Sequence, residues 1–136
     1  MITLVLGGAR SGKSSFAEKL ARENSGDNVF YLATATAEDE EMKRRIKHHQ
    51  ESRPSNWQTV EEPLSVGEAL SSISAGTTVL IDCITVFISN LLFLNKAQNS
   101  EQKQNSAEID FVEKEKLITK KIEKIIANTA SVTNNL

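Results

Sequence analysis

One cysteine, Cys83, stands among the 136 residues, so no intrachain disulfide can form. A single thiol fits a reducing compartment. Charge of one sign is also lacking: 16 basic side chains face 18 acidic ones, a formal net charge of −2. Without a basic excess, nothing in the charge suggests nucleic-acid backbones or anionic membrane surfaces as partners. No apolar run approaches the roughly 18 residues that a membrane span needs. The longest, from Val79 to Leu94, is interrupted by Asp82, Thr85, Ser89 and Asn90. Met1 leads into the apolar stretch Ile2 to Leu6. This stretch is too short for a secretion signal, and no basic segment precedes it. The expectation is a soluble, cytoplasmic chain without a membrane span or a nucleic-acid partner.

What is present is a hydrophobic fraction of 39%, enough for one compact α/β domain over residues 1–136. Ile2 to Leu6 reads as a buried strand, closed by Gly7-Gly8. A helix is predicted from Lys13 to about Glu23, with Phe16, Ala17, Leu20 and Ala21 at helical spacing. Val29 to Ala33 is a second strand. A charged helix follows to about Ser52, opened by Thr36 and Asp39 in the manner of a capping box and ended by Arg53-Pro54. Residues 53–65 read as an irregular connection anchored by Trp57, and Ser65 to Ser74 as a short helix. Val79 to Ile81 is a third strand, Thr85 to Leu94 a helix, and residues 95–107 a polar, mobile loop. Ile109 to Ala127 is an amphipathic helix with Phe111, Ile118, Ile122, Ile125 and Ile126 near one face. Strands alternating with helices predict a parallel sheet covered on both faces.

Gly7-Gly8-Ala9-Arg10-Ser11-Gly12-Lys13-Ser14 matches the phosphate-loop pattern G-x-x-x-x-G-K-[ST] without a mismatch. It lies between a predicted strand and a predicted helix, which is the context the motif requires. Glycines let backbone N–H groups turn inward around phosphate oxygens, and the helix N-terminus adds partial positive charge there. Lys13 would reach the β- and γ-phosphates, and the Ser14 hydroxyl would bind Mg²⁺. An ordinary glycine-rich strand-to-helix turn is the plainer reading. Asp82 ends the third strand, where a carboxylate faces the ligand crevice of a parallel sheet and serves the metal or its water shell. Its plainer reading is a cap for the next helix.

His48 and His49 are adjacent on the charged helix. Met42, Ile46 and His49 share its apolar face, which turns His49 inward and His48, roughly 100° away, outward. An inward histidine is either a hydrogen-bonded packing residue or a reactive group.

These features come together with several others. Tyr-Leu-Ala-Thr-Ala (31–35), Asp-Glu-Glu-Met (39–42), Arg-Ile-Lys-His-His-Gln-Glu-Ser-Arg-Pro (45–54), Trp-Gln-Thr-Val-Glu-Glu-Pro (57–63) and Asp-Cys-Ile-Thr-Val-Phe-Ile-Ser-Asn-Leu-Leu (82–92) follow the phosphate loop in order. Over residues 1 to 94 the chain resembles the bifunctional adenosylcobinamide kinase/adenosylcobinamide-phosphate guanylyltransferases. The resemblance implies a P-loop, RecA-like three-layer α/β domain with a mostly parallel sheet. It implies phosphorylation of adenosylcobinamide by ATP or GTP. It also implies transfer of GMP from GTP, through a histidine, to adenosylcobinamide phosphate, with Mg²⁺ present. The family histidine stands four residues before the arginine of the Arg-Pro pair, here His49, so His49 and Lys13 are the expected catalytic residues. By the same match, Ala33, Thr34 and Ala35 would line the nucleotide site, and Gln50, Glu51, Ser52, Arg53 and Glu61 would hold guanosine. Arg53 as a helix-end cap, Glu61 as a surface acid, and Glu62 in place of Glu61 remain open. A homo-oligomer is expected from the resemblance.

Family members continue past residue 136 with a further strand and an Asn-Glu-Val-Gly element, so the fold is expected to be C-terminally incomplete. A plain phosphate-loop kinase and a nucleotide-binding relative without turnover are the competing readings.

Overall fold

A computed structural model describes residues 1–36, 40–51, 53–93 and 107–131; side chains 41, 42, 45, 48, 49, 107–110, 130 and 131 are not described. Asp39 of the expected capping box, Ser52 and all but the last residue of the loop expected over 95–107 lie outside the described residues; Ala107 opens a helix.

The elements in chain order are α1 (Lys13–Ser25), β1 (Val29–Ala33), α2 (Glu40–Glu51), β2 (Gln58–Glu61), α3 (Val66–Ser71), β3 (Thr78–Asp82), α4 (Ile84–Phe93) and α5 (Ala107–Ser131). The three strands form one parallel sheet in the order β2-β1-β3. β1 is central and reads as a continuous apolar run because both of its faces are covered. One face packs Leu32 against Val66, Leu70, Phe87, Leu91 and Ile125 of α3, α4 and α5. The other packs Val29 and Tyr31 against Ala21 and Trp57. Trp57 is thus the buried anchor that its sequence position suggested. α1 closes this second face over β3 and β1.

Three sequence expectations change. Residues 58–61 form a strand rather than an irregular connection. All four are exposed at the sheet edge, so the segment lacks the apolar pattern that marks a buried strand. Ile2 to Leu6 is not a strand: Ile2, Leu4 and Leu6 are 62%, 71% and 81% exposed. An apolar segment forms a strand only where a neighbour supplies hydrogen bonds, and among the described residues the sheet ends at β3. Phe16, Phe111 and Ile126 are exposed, so α1 and α5 bury narrower faces than their spacing suggested.

Candidate functional site

Parallel strands place their carboxyl ends together. Ala33 at the end of β1 is in register with Glu61 of β2 on one side and Asp82 of β3 on the other. Three expected site residues, far apart in sequence, therefore form a row along one edge of the sheet. This is the edge where ligands bind in open α/β folds. The chain leaves that edge pinned. The Thr34 N–H donates to the Asp82 carbonyl at 3.0 Å, and the Glu62 N–H donates to the Ala33 carbonyl at 2.8 Å.

Thr34 is fully buried and fully engaged. Its hydroxyl donates to the Cys83 carbonyl at 2.8 Å and accepts from the Cys83 N–H at 2.9 Å. The Asn90 amide donates to the Thr34 carbonyl at 2.9 Å and to the Pro63 carbonyl at 3.1 Å. Thr34 therefore ties the end of β1 to the residue that follows β3, with Asn90 of α4 as its brace. Sequence reading missed this role of Asn90, because a single amide on an apolar helix carries no spacing signal.

Gly7 to Gly12 form an exposed loop leading into α1. Arg10 and Gly12 adopt left-handed backbone, with φ of 56° and 80°. Glycine carries that conformation without strain, whereas at Arg10 it costs energy that ordinary turns do not spend. A Cβ at Gly7 would lie 2.6 Å from Ser11 Oγ, so a larger residue there would require the exposed Ser11 side chain to turn away. Lys13 Nζ donates to the Gly8 carbonyl at 3.1 Å, which wraps the loop around its ammonium group. Ala9 and Ser11 are exposed on the loop, and Ser14 follows in the first turn of α1.

His49 falls within α2, and its side chain is outside the described residues. The adjacent Gln50 Nε2 donates to Glu61 Oε1 at 3.4 Å, which brings the end of α2 to the β2 end of the row. Glu51 pairs with Lys47 at 3.8 Å on the exposed surface. The rival acid, Glu62, is committed elsewhere: its Oε1 accepts from the Leu64 and Ser65 N–H groups at 3.0 and 2.8 Å.

Arg53 is turned into the protein. Its guanidinium carbon lies 3.3 Å from the centroid of the Tyr31 ring. Its Nε is 3.9 Å from Glu18 Oε1, and the two side chains are 7% and 15% exposed. The Tyr31 hydroxyl donates to Asp82 Oδ2 at 2.6 Å. Burial, then this hydrogen bond, push the Tyr31 phenol far above its ordinary range, so it stays protonated as a donor. Tyr31 was missed as a site residue. Its signal was a lone tyrosine in an otherwise apolar buried strand, since a buried phenol requires a partner.

The phosphate-loop motif opens a helix that packs on a parallel sheet whose third strand ends in a carboxylate; this keeps the helix side of the motif's context and marks an α/β protein of the phosphate-loop class. The family model "Cobinamide kinase / cobinamide phosphate guanyltransferase" matches residues 3–136, and the chain belongs to that family. It is 52% identical over 99 residues to a bifunctional adenosylcobalamin biosynthesis protein of Pseudomonas aeruginosa, covering 72% of this chain and 57% of that one. The like-named protein of Escherichia coli is 45% identical over 94 residues, covering 68% and 51%. That of Salmonella typhimurium is 35% identical over 128 residues, covering 93% and 67%. The chain thus spans between half and two thirds of the length of these relatives. Among the described residues no helix is long and apolar enough to cross a membrane.

Proposed function

We propose that this chain carries the nucleotide-handling machinery of a cobinamide kinase and cobinamide-phosphate guanylyltransferase, with GTP and ATP as nucleotides. The observation that carries the reading is the row at the carboxyl edge of the sheet, where Asp82 and Glu61 flank Ala33 and the helix that bears His49 reaches Glu61 through Gln50. The phosphate-loop motif that opens α1, with Lys13 bonded back to Gly8, adds the anion-binding element.

In the first reaction the loop amides and Lys13 hold the β- and γ-phosphates. The aminopropanol hydroxyl of adenosylcobinamide attacks the γ-phosphorus, the bond to the β,γ-bridging oxygen breaks, and the nucleoside diphosphate leaves. In the second, the neutral imidazole of His49 attacks the α-phosphorus of GTP and pyrophosphate leaves. The phosphate oxygen of adenosylcobinamide phosphate then displaces the histidine and takes GMP, giving adenosylcobinamide-GDP. Lys13 offsets charge on the phosphates in both steps. The Ser14 hydroxyl and Asp82 carboxylate are hard oxygen donors, few in number, which suits Mg²⁺ held partly by water and phosphate. Bound there, the ion would neutralise developing phosphate charge. Gln50, Glu51, Ser52 and Glu61 are the proposed guanosine contacts, with assembly as a homo-oligomer in the cytoplasm.

Incubation with α-labelled GTP should leave acid-labile label on the protein, and His49→Ala should remove it. Label retained in that variant would sink the histidine assignment. Label from γ-labelled nucleotide only would point to a plain kinase. The exposed Ile2–Leu6 segment beside the loop favours a second reading, nucleotide binding without turnover. Tight GTP binding with neither label nor product would support it.

A further inference from the structure

Four side chains distant in sequence touch one another in a line across the protein. Glu18 of α1 pairs with Arg53, Arg53 lies flat on Tyr31, and Tyr31 donates to Asp82. The line begins on the helix that opens in the phosphate loop and passes through the residue just beyond α2. It then crosses the central strand and ends on the carboxylate at the end of β3.

Packing does not account for it. Burying a guanidinium and a carboxylate costs more desolvation than a loose pair returns, and apolar side chains of similar volume would fill the space at lower cost. The Arg53 Nε and one terminal nitrogen, Nη1, have no hydrogen-bond partner among the described residues. Phenylalanine would cover the same strand position without the hydroxyl. What the line does achieve is orientation. The Tyr31 hydroxyl holds Asp82 Oδ2, which fixes the plane of that carboxylate and leaves its other oxygen for a ligand. Arg53 holds the ring from its face, where the guanidinium is attracted by the π-system. Glu18 holds Arg53 to the phosphate-loop helix.

We propose that Tyr31 is a positioning residue for the Asp82 carboxylate, set in place by Arg53 and Glu18. The chain thereby ties the orientation of the metal-side carboxylate to the seating of the junction that follows α2. This assigns Arg53 to orientation of Asp82 in place of contact with guanosine. It rests on the proposed metal-side role of Asp82.

The test measures GTP affinity of the full chain with magnesium present and with magnesium chelated, for the parent, Tyr31→Phe, Arg53→Lys and Asp82→Asn. The readout is the gain in affinity that magnesium confers. Tyr31→Phe keeps the ring and removes the hydroxyl. It should shrink the magnesium gain roughly five- to tenfold, the scale of one ordinary hydrogen bond, with magnesium-free affinity preserved. Arg53→Lys keeps the charge and loses the flat stacking, and should shrink the gain in the same direction by less. A Tyr31→Phe protein that keeps the full gain, or that loses affinity equally with and without magnesium, overturns the proposal. If Asp82→Asn itself leaves the gain intact, the metal-side reading has failed and takes the proposal with it. A gain lost in Asp82→Asn but kept in Tyr31→Phe overturns the positioning role only.

Discussion

Single side chains in this protein carry distinct tasks even where neighbours look equivalent. Glu61 and Glu62 differ by one position, yet Glu62 accepts two N–H groups at the turn into α3 while Glu61 faces Gln50. Glu62→Ala should cost about 1 kcal/mol of stability, the usual loss for a capping-type acceptor, and leave GTP affinity unchanged. Glu61→Ala should do the reverse, lowering GTP affinity without moving the urea midpoint. Arg53→Ala should be the most damaging single change near the site. It removes a buried guanidinium from the face of the Tyr31 ring and from Glu18, and should cost about 1–3 kcal/mol, readable in a denaturant melt. Of these roles, only the presence of an acid pair before Pro63 was legible in the sequence. Which acid bends back to the chain depends on the turn from β2 to α3, a turn that the sequence reading treated as irregular.

Among the elements, α5 decides how far the first core face is closed. Ile118, Ile122 and Ile125 lie against α3 and α4, as their helical spacing predicted. Polar contacts reinforce the join: Asn128 Nδ2 donates to the Gly67 carbonyl at 2.6 Å, and Lys121 Nζ to the Leu64 carbonyl at 2.8 Å. Ile125→Ala should cost about 2–4 kcal/mol, since buried aliphatic truncation loses transfer energy and leaves a cavity. Lys124 Nζ meets Glu68 Oε1 at 2.9 Å, and that hydrogen bond first of all holds the Glu68 carboxyl below its ordinary range. A carboxyl lowered in the folded state stabilises it above the unfolded pKa, and the benefit disappears as pH falls through the folded one. The pair is exposed, so the effect is small. Urea midpoints of the parent and Glu68→Gln should differ slightly at neutral pH and converge below the carboxylate range. The helix pattern was readable because packing face and period coincide. β2 was not, because an edge strand has no face to bury.

At the scale of the whole molecule, the sheet has three strands, and β3 pairs only with β1 among the described residues. Elsewhere Ile2, Leu4 and Leu6 present apolar side chains to solvent, and Phe16 adds another at 58% exposure. Exposed large apolar side chains and a strand edge without a partner each promote association. The chain should therefore self-associate with rising concentration in sedimentation velocity, and the double substitution Ile2→Lys, Leu4→Lys should weaken that association while leaving the melting temperature nearly unchanged. A lowered melting temperature would show instead that the segment packs on the domain.

The sequence by itself determined the phosphate-loop motif, the helices, the strands Val29–Ala33 and Thr78–Asp82, their parallel pairing and the strand-end position of Asp82. Each is written locally: a contiguous motif, a periodicity, or an apolar run with a charged end. Tertiary structure decided the rest. It made Tyr31 and Arg53 the support of Asp82, joined Gln50 to Glu61, buried Thr34 with Asn90 as its brace and left Ile2 to Leu6 without a neighbouring strand. Those outcomes depend on contacts between residues many positions apart, such as Tyr31 and Asp82 across 51 positions, and no local pattern encodes which distant side chain arrives. A phenol or a guanidinium in the sequence states only that a partner is needed once it is buried; the fold chooses the partner.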